Sequence, residues 1–172
     1  MKRKQILALL LSALLMLLTA CGVGSKTRIT MKWVDTFWAA DLATGYSLSV
    51  NGELVYREDG EELERVPWKE SALAAEYEDP KAAALAMAEI IEGFSSGKSI
   101  SEEELEEQLA QDGLYRLTLR HMSSEVPPAD FYIVKDGLIR DEKDAYLLLT
   151  YEEEELEKLL GILRLCFDGL PQ

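Results

Sequence analysis

Cysteine and histidine are almost missing from this chain: two cysteines and one histidine in 172 residues. A tetrahedral zinc site needs several such ligands. A disulfide framework needs cysteine pairs. Neither is expected here. Positive charge is also scarce, with 18 basic against 32 acidic residues and a net charge of −14. That balance excludes a nucleic-acid binder, which works through basic surfaces. It equally disfavours electrostatic attachment to anionic lipid headgroups. No calcium loop of the Asp-x-Asx-x-Asx-Gly type is found. Nor is a phosphate-cradling glycine-rich loop or a catalytic motif read, so no cofactor and no metal are expected.

The first residues are informative. Lys2, Arg3 and Lys4 precede an apolar run from Ile6 to Leu18, broken by Ser12. A charged start and an apolar stretch of this length suit a secretory signal. The run is short of the roughly 20 apolar residues of a membrane span. Leu18, Thr19, Ala20 and Cys21 follow directly. This tetrapeptide resembles the lipobox of bacterial lipoprotein precursors, a resemblance confined to residues 1–21. It implies cleavage between Ala20 and Cys21, with a diacylglyceryl group on the Cys21 thiol. The membrane would then be a partner through covalent lipid. Two acyl chains hold where one is marginal, each buried CH₂ contributing about 0.8 kcal/mol.

On this reading residues 1–20 are a signal peptide, residues 21–26 a lipidated cysteine with a short tether, and residues 27–172 one domain. Loss of Lys2, Arg3 and Lys4 takes the net charge from −14 to −17. With Cys21 carrying lipid, Cys166 has no partner for a disulfide.

Hydrophobic periodicity places the elements. Residues 27–34 alternate with a period of two and predict a half-buried strand. Residues 35–45 and 61–78 give no clear pattern. Tyr46–Val50 and Glu53–Arg57 flank Asn51-Gly52, which predicts a hairpin with a type I′ turn. Asp59-Gly60 marks a further turn. Asp79 as N-cap and Pro80 at the first helical position open a helix. Its apolar stripe is Ala83, Met87, Ile90, Ile91 and Phe94, and Gly97 is expected to close it. Ser101 and Glu104 form a capping box for a second helix, with Ile100 and Leu105 as staple and Gly113 at its end. Four strands should follow: Tyr115–Arg120, Phe131–Lys135, Leu138–Arg140 and Tyr146–Leu149. Pro127-Pro128 should extend the first connection and Asp136-Gly137 should turn the second. Thr150 and Glu153 read as the cap of a last helix to about Leu165.

The expected fold class is α+β. A C-terminal four-strand antiparallel meander plus N-terminal strands forms a sheet, with about three helices packed on one face.

Few residues invite chemistry. His121 ends the inward face of a strand and reads as structural. Cys166 lies beside an apolar helical stripe near a helix C-terminus, which disfavours a thiolate. The acidic runs Glu102 to Glu107 and Glu152 to Glu155 read as solvated helix faces. Trp33, Trp38 and Trp68 would serve a core, or a platform on which a sugar or peptide stacks. Arg116 and Arg120 share a wet strand face with Thr118 and are expected to pair with glutamates.

The leading functional expectation is a lipid-anchored, extracytoplasmic, non-catalytic module that binds an envelope protein or ligand. Its partner and oligomeric state are not specified by sequence. A carboxylate-based envelope enzyme and a small substrate-binding lipoprotein stand beside it.

Overall fold

The computed structural model describes residues 34–111, 114–121, 128–135, 137–142, 145–168 and 170. The expectations for Cys21, Trp33, the strand over 27–33, Gly113, Pro127 and Asp136 lie outside these residues.

Among the described residues nine strands form one antiparallel sheet. They are β1 (Thr36–Asp41), β2 (Tyr46–Val50), β3 (Glu53–Glu58), β4 (Glu61–Pro67), β5 (Ser95–Ile100), β6 (Tyr115–Arg120), β7 (Ala129–Val134), β8 (Gly137–Glu142) and β9 (Ala145–Thr150). The order across the sheet is β4-β3-β2-β1-β6-β7-β8-β9-β5. Among the described residues three α-helices complete it: α1 (Pro80–Gly93), α2 (Glu102–Leu109) and α3 (Glu153–Phe167). The α+β class stands, and the expected C-terminal meander is β6 to β9. The sheet is larger than expected, because β1, β4 and β5 come from segments that showed no strand pattern.

Each of those three strands has a physical reason for its silence. In β1, Phe37 and Ala39 are buried on one face, while Ala40 on the other is also buried. Burial on both faces erases alternation. β4 is an outer strand with every residue exposed except half-buried Val66. Its composition, Glu61-Glu62-Leu63-Glu64-Arg65, suits an edge that resists pairing with other chains. β5 is the opposite outer strand and is mostly polar.

The hairpins form where expected, with one change of turn. β2 and β3 pair in register around Asn51-Gly52. Gly52 has φ +80°, but Asn51 does not enter the left-handed region, so the type I′ expectation fails there. The two consecutive positive φ values occur instead at Asp59 (+49°) and Gly60 (+88°), between β3 and β4. The neighbouring Arg57 pair absorbs a register shift.

Helix α1 starts as expected, with the Asp79 carboxylate accepting from the Ala82 N–H at 2.7 Å and Pro80 at the first position. It ends at Gly93, not Gly97. Phe94 turns to extended backbone (φ −72°, ψ 137°) and the chain enters β5. Helix α2 has the full reciprocal capping box between Ser101 and Glu104. The N-cap of helix α3 is Glu152, without a side-chain capping bond, and not the expected Thr150. Thr150 belongs to β9.

The helices lie on both faces of the sheet, which corrects the one-face expectation. Successive strand residues point to opposite faces. Leu138, Ile133 and Leu117 join the main core with α1 and α3, whose Met87, Ile91, Leu159 and Leu163 are fully buried. The adjacent Ile139 and Val134 join a second cluster with Leu105 of α2 and Ile100. Helix α2 therefore covers the end of the second face formed by β8, β9, β5 and the Val134 end of β7. The Ile100–Leu105 staple is part of that cover. Over β3, β2, β1 and β6 no described helix lies on this second face.

Candidate functional site

The face that no described helix covers can be read from the register. One row across the strands is Val55, Ser49, Trp38, Thr118, Asp130 and Asp141. The next is Arg57, Ser47, Ala40, Arg116 and Tyr132. Arg120 lies opposite Thr36 on the same face. Cross-strand neighbours sit about 5 Å apart, so these side chains touch or nearly touch. Trp38, Arg116, Thr118, Arg120, Pro128 and Asp130 line a shallow cleft of about 280 Å³.

Its interior is tied together at Asp130. The Thr118 hydroxyl donates to one Asp130 oxygen. The Arg116 guanidinium stands 3.9 Å from the other. Arg116 also lies over the Tyr132 ring, 5.4 Å from its centre, a cation–π contact. Its Nε is buried without a hydrogen-bond partner among the described residues. A buried donor left unmade costs roughly 1–3 kcal/mol. Arg120 is exposed and forms no ion pair among the described residues. Arg116 and Arg120 do share one face, as expected. The expected glutamate partners are absent among the described residues: Arg116 meets an aspartate, and Thr118 is buried rather than wet.

Asp141 is the cross-strand neighbour of Asp130. Burial, then the charge of Asp130, push its carboxyl above the ordinary value, and Arg116 opposes them. Burial raises the Tyr132 hydroxyl as well. These carboxylates were not singled out by sequence. The signal was available only through register, since 11 residues separate them in the chain.

The other expected residues disperse. Trp68 is buried in the main core and its Nε1 donates to the Glu78 carbonyl at 3.2 Å. Trp38 is not core; it is half-buried in the cleft. Cys166 is fully buried among α3 core residues, and burial pushes its thiol far up, which keeps it neutral and unreactive. Its carbonyl accepts from the Tyr56 hydroxyl at 2.8 Å. His121 is half-buried just past β6 and does not line the cleft.

One string escaped the sequence reading. Gly93-Phe94-Ser95-Ser96-Gly97 has the spacing of a Gly-x-Ser-x-Gly nucleophile elbow, and Gly97-Lys98-Ser99 resembles the end of a phosphate loop. Both motifs require a strand before the loop and a helix directly after it. Here the order is reversed: α1 precedes and β5 follows. Ser95 pairs with Thr150 in the sheet, and the Lys98 ammonium pairs with Glu104 at 2.6 Å. The string is a helix-to-edge-strand turn. Among the described residues no group of three His, Cys, Asp or Glu could hold a metal ion, and no helix is long and apolar enough to cross a membrane.

No protein-family model, curated protein or solved structure matches this chain.

Proposed function

We propose that this chain is a lipid-anchored extracytoplasmic module that binds a ligand without transforming it. Leu18-Thr19-Ala20-Cys21 after a charged and apolar start supports the anchor. The part of the sheet face that no described helix covers carries the binding half. Sheets normally cover apolar faces and leave plain polar ones to water. This face instead concentrates an indole, a tyrosine ring and cations in an otherwise acidic chain.

The anchor is tested by replacing Cys21 with Ala and feeding cells an alkyne-tagged fatty acid. The native chain should take up the tag and sediment with membranes. The variant should lose the tag and leave the membrane once its signal is cut. A variant that remains membrane-bound after cleavage refutes lipid anchoring.

The carboxylate-based enzyme keeps one specific observation in its favour. Asp130, which accepts from the Thr118 hydroxyl and stands 3.9 Å from Arg116, faces Asp141, whose carboxyl is raised by burial and then by the charge of Asp130. A raised carboxyl beside a second carboxylate suits a general acid. Incubation with a panel of chromogenic glycosides separates the readings. Turnover by the native chain that Asp141→Asn abolishes would replace the binding module with an enzyme.

A further inference from the structure

We infer that the cleft formed by Trp38, Arg116, Thr118, Arg120 and Asp130 binds a carboxylate-bearing sugar, the ring stacking on Trp38 and the carboxylate meeting Arg120. This rests on the binding-module reading and names its ligand class.

Three features of the cleft converge on that chemistry. The half-buried indole of Trp38 supplies a flat apolar platform, which fits the C–H face of a sugar ring. Beside it, Asp130 and Arg116 supply an acceptor and donors in one small space. Among the described residues the Asp130 carboxylate has Thr118 and the distant Arg116 guanidinium as partners and retains lone pairs for hydroxyls. Arg116 has donors to spare, its contact to Asp130 being 3.9 Å.

The charge count selects among sugars. Two arginines face one aspartate around the cleft, leaving a surplus positive charge in a chain of net charge −14. A neutral sugar would leave the exposed Arg120 without a role. A phosphate dianion would bring two negative charges beside Asp130 against a surplus of one positive charge. A single carboxylate matches the surplus and suits the planar fork of a guanidinium. The cleft is shallow and about 280 Å³, room for roughly one or two rings of an oligosaccharide.

The test uses the full chain in a neutral detergent, titrated with trigalacturonic acid and followed by tryptophan fluorescence and calorimetry. Saturable binding with Kd at or below about 1 mM is expected. The fully methyl-esterified trimer should bind at least tenfold more weakly, because esterification removes the charge and keeps the ring. Arg120→Gln should weaken the acid trimer roughly tenfold, the size expected for one charged hydrogen bond. It should leave the ester unchanged. Trp38→Ala should weaken both trimers about tenfold, and Trp38→Tyr should restore part of the loss. Circular dichroism reports whether the Trp38 variants fold. Arg120 is exposed, so its variant decides the matter if Trp38→Ala unfolds.

Absence of saturation by roughly 10 mM acid trimer, where binding free energy falls below about 3 kcal/mol, overturns the inference. Equal affinity for acid and ester overturns the role of Arg120. Displacement of the trimer by inorganic phosphate at equal concentration reduces the site to a general anion site and overturns the sugar. Membrane sedimentation and tagging of the same chain are read separately. A lipidated chain that ignores the trimer loses only this inference.

Discussion

Gly97→Ala should disrupt one end of the sheet. An ideal Cβ at Gly97 would stand 2.0 Å from the backbone carbonyl oxygen of Leu148 and 3.0 Å from its carbon. A backbone group in a central strand cannot swing aside like a side-chain tip. Either β5 moves more than about 1 Å from β9, or β9 distorts, and both break ladder bonds beside the Lys98–Leu148 pair. Overpacking of this kind costs roughly 1–3 kcal/mol, and one or two lost backbone bonds contribute about 1 kcal/mol each. A net loss of about 3 kcal/mol is expected. For a chain of this size it lowers Tm by roughly 6–12 °C. Gly161→Ala is the matched control. It adds the same methyl, but nothing lies within 4 Å of its Cβ and the residue sits inside α3. Helix propensity should make it stabilising by about 0.5–1 kcal/mol. Urea unfolding of the two variants, followed by tryptophan fluorescence with unchanged m-values, measures both. If Gly97→Ala unfolds within about 0.5 kcal/mol of the native chain, the close backbone approach at Gly97, inside the register shift between Ser95 and Lys98 of β5, is wrong.

Three further outcomes are expected. Tyr56→Phe leaves the Cys166 carbonyl at the end of α3 without its 2.8 Å donor and should cost about 1–2 kcal/mol in urea unfolding. Ser101→Ala removes the N-cap of α2 and should cost about 1 kcal/mol in urea unfolding, with Ser101→Gly costing less; an Ala variant as stable as the native chain would show that the cap bond does not matter. Alkaline pH should destabilise the fold. Burial raises Cys166 from 9.0, and Tyr56, Tyr77, Tyr115 and Tyr132 from 10.0. Above those ordinary values the unfolded chain releases protons that the folded chain retains, so stability falls as pH rises. The full contribution is present below about pH 9 and is lost progressively above it. Tm measured between pH 7 and pH 11 that stays flat would contradict the burial of these groups.

The elements legible in the sequence were those with one wet face or one explicit punctuation mark. β6 alternates because Leu117 and Leu119 meet the core while Arg116 and Arg120 do not. α1 and α2 announce themselves through Asp79-Pro80 and the Ser101–Glu104 box. β5 was silent because an outer strand with a glycine bulge has little apolar pattern, and Gly97 then passed for a helix stop. It serves close backbone approach instead. The candidate site was half legible. Arg116, Thr118 and Arg120 lie on one strand and share a face by period alone. Trp38, Asp130 and Asp141 reach them only through pairings of β1, β7 and β8, which no local pattern encodes.

The strand order carries a consequence for how the chain folds. β1 to β4 form one run of neighbouring hairpins and β6 to β9 another. Within each run, partners are adjacent in sequence and close quickly. The two runs meet at a single seam, β1 against β6, where Phe37 waits for Leu119, 82 residues further along the chain. Until β6 arrives, one side of β1 is an open template beside buried apolar residues. A chain emerging from its N-terminus holds that edge exposed while everything up to β6 is made. Slowing folding at this seam, rather than within either run, would leave the longest-lived species able to pair with a second copy.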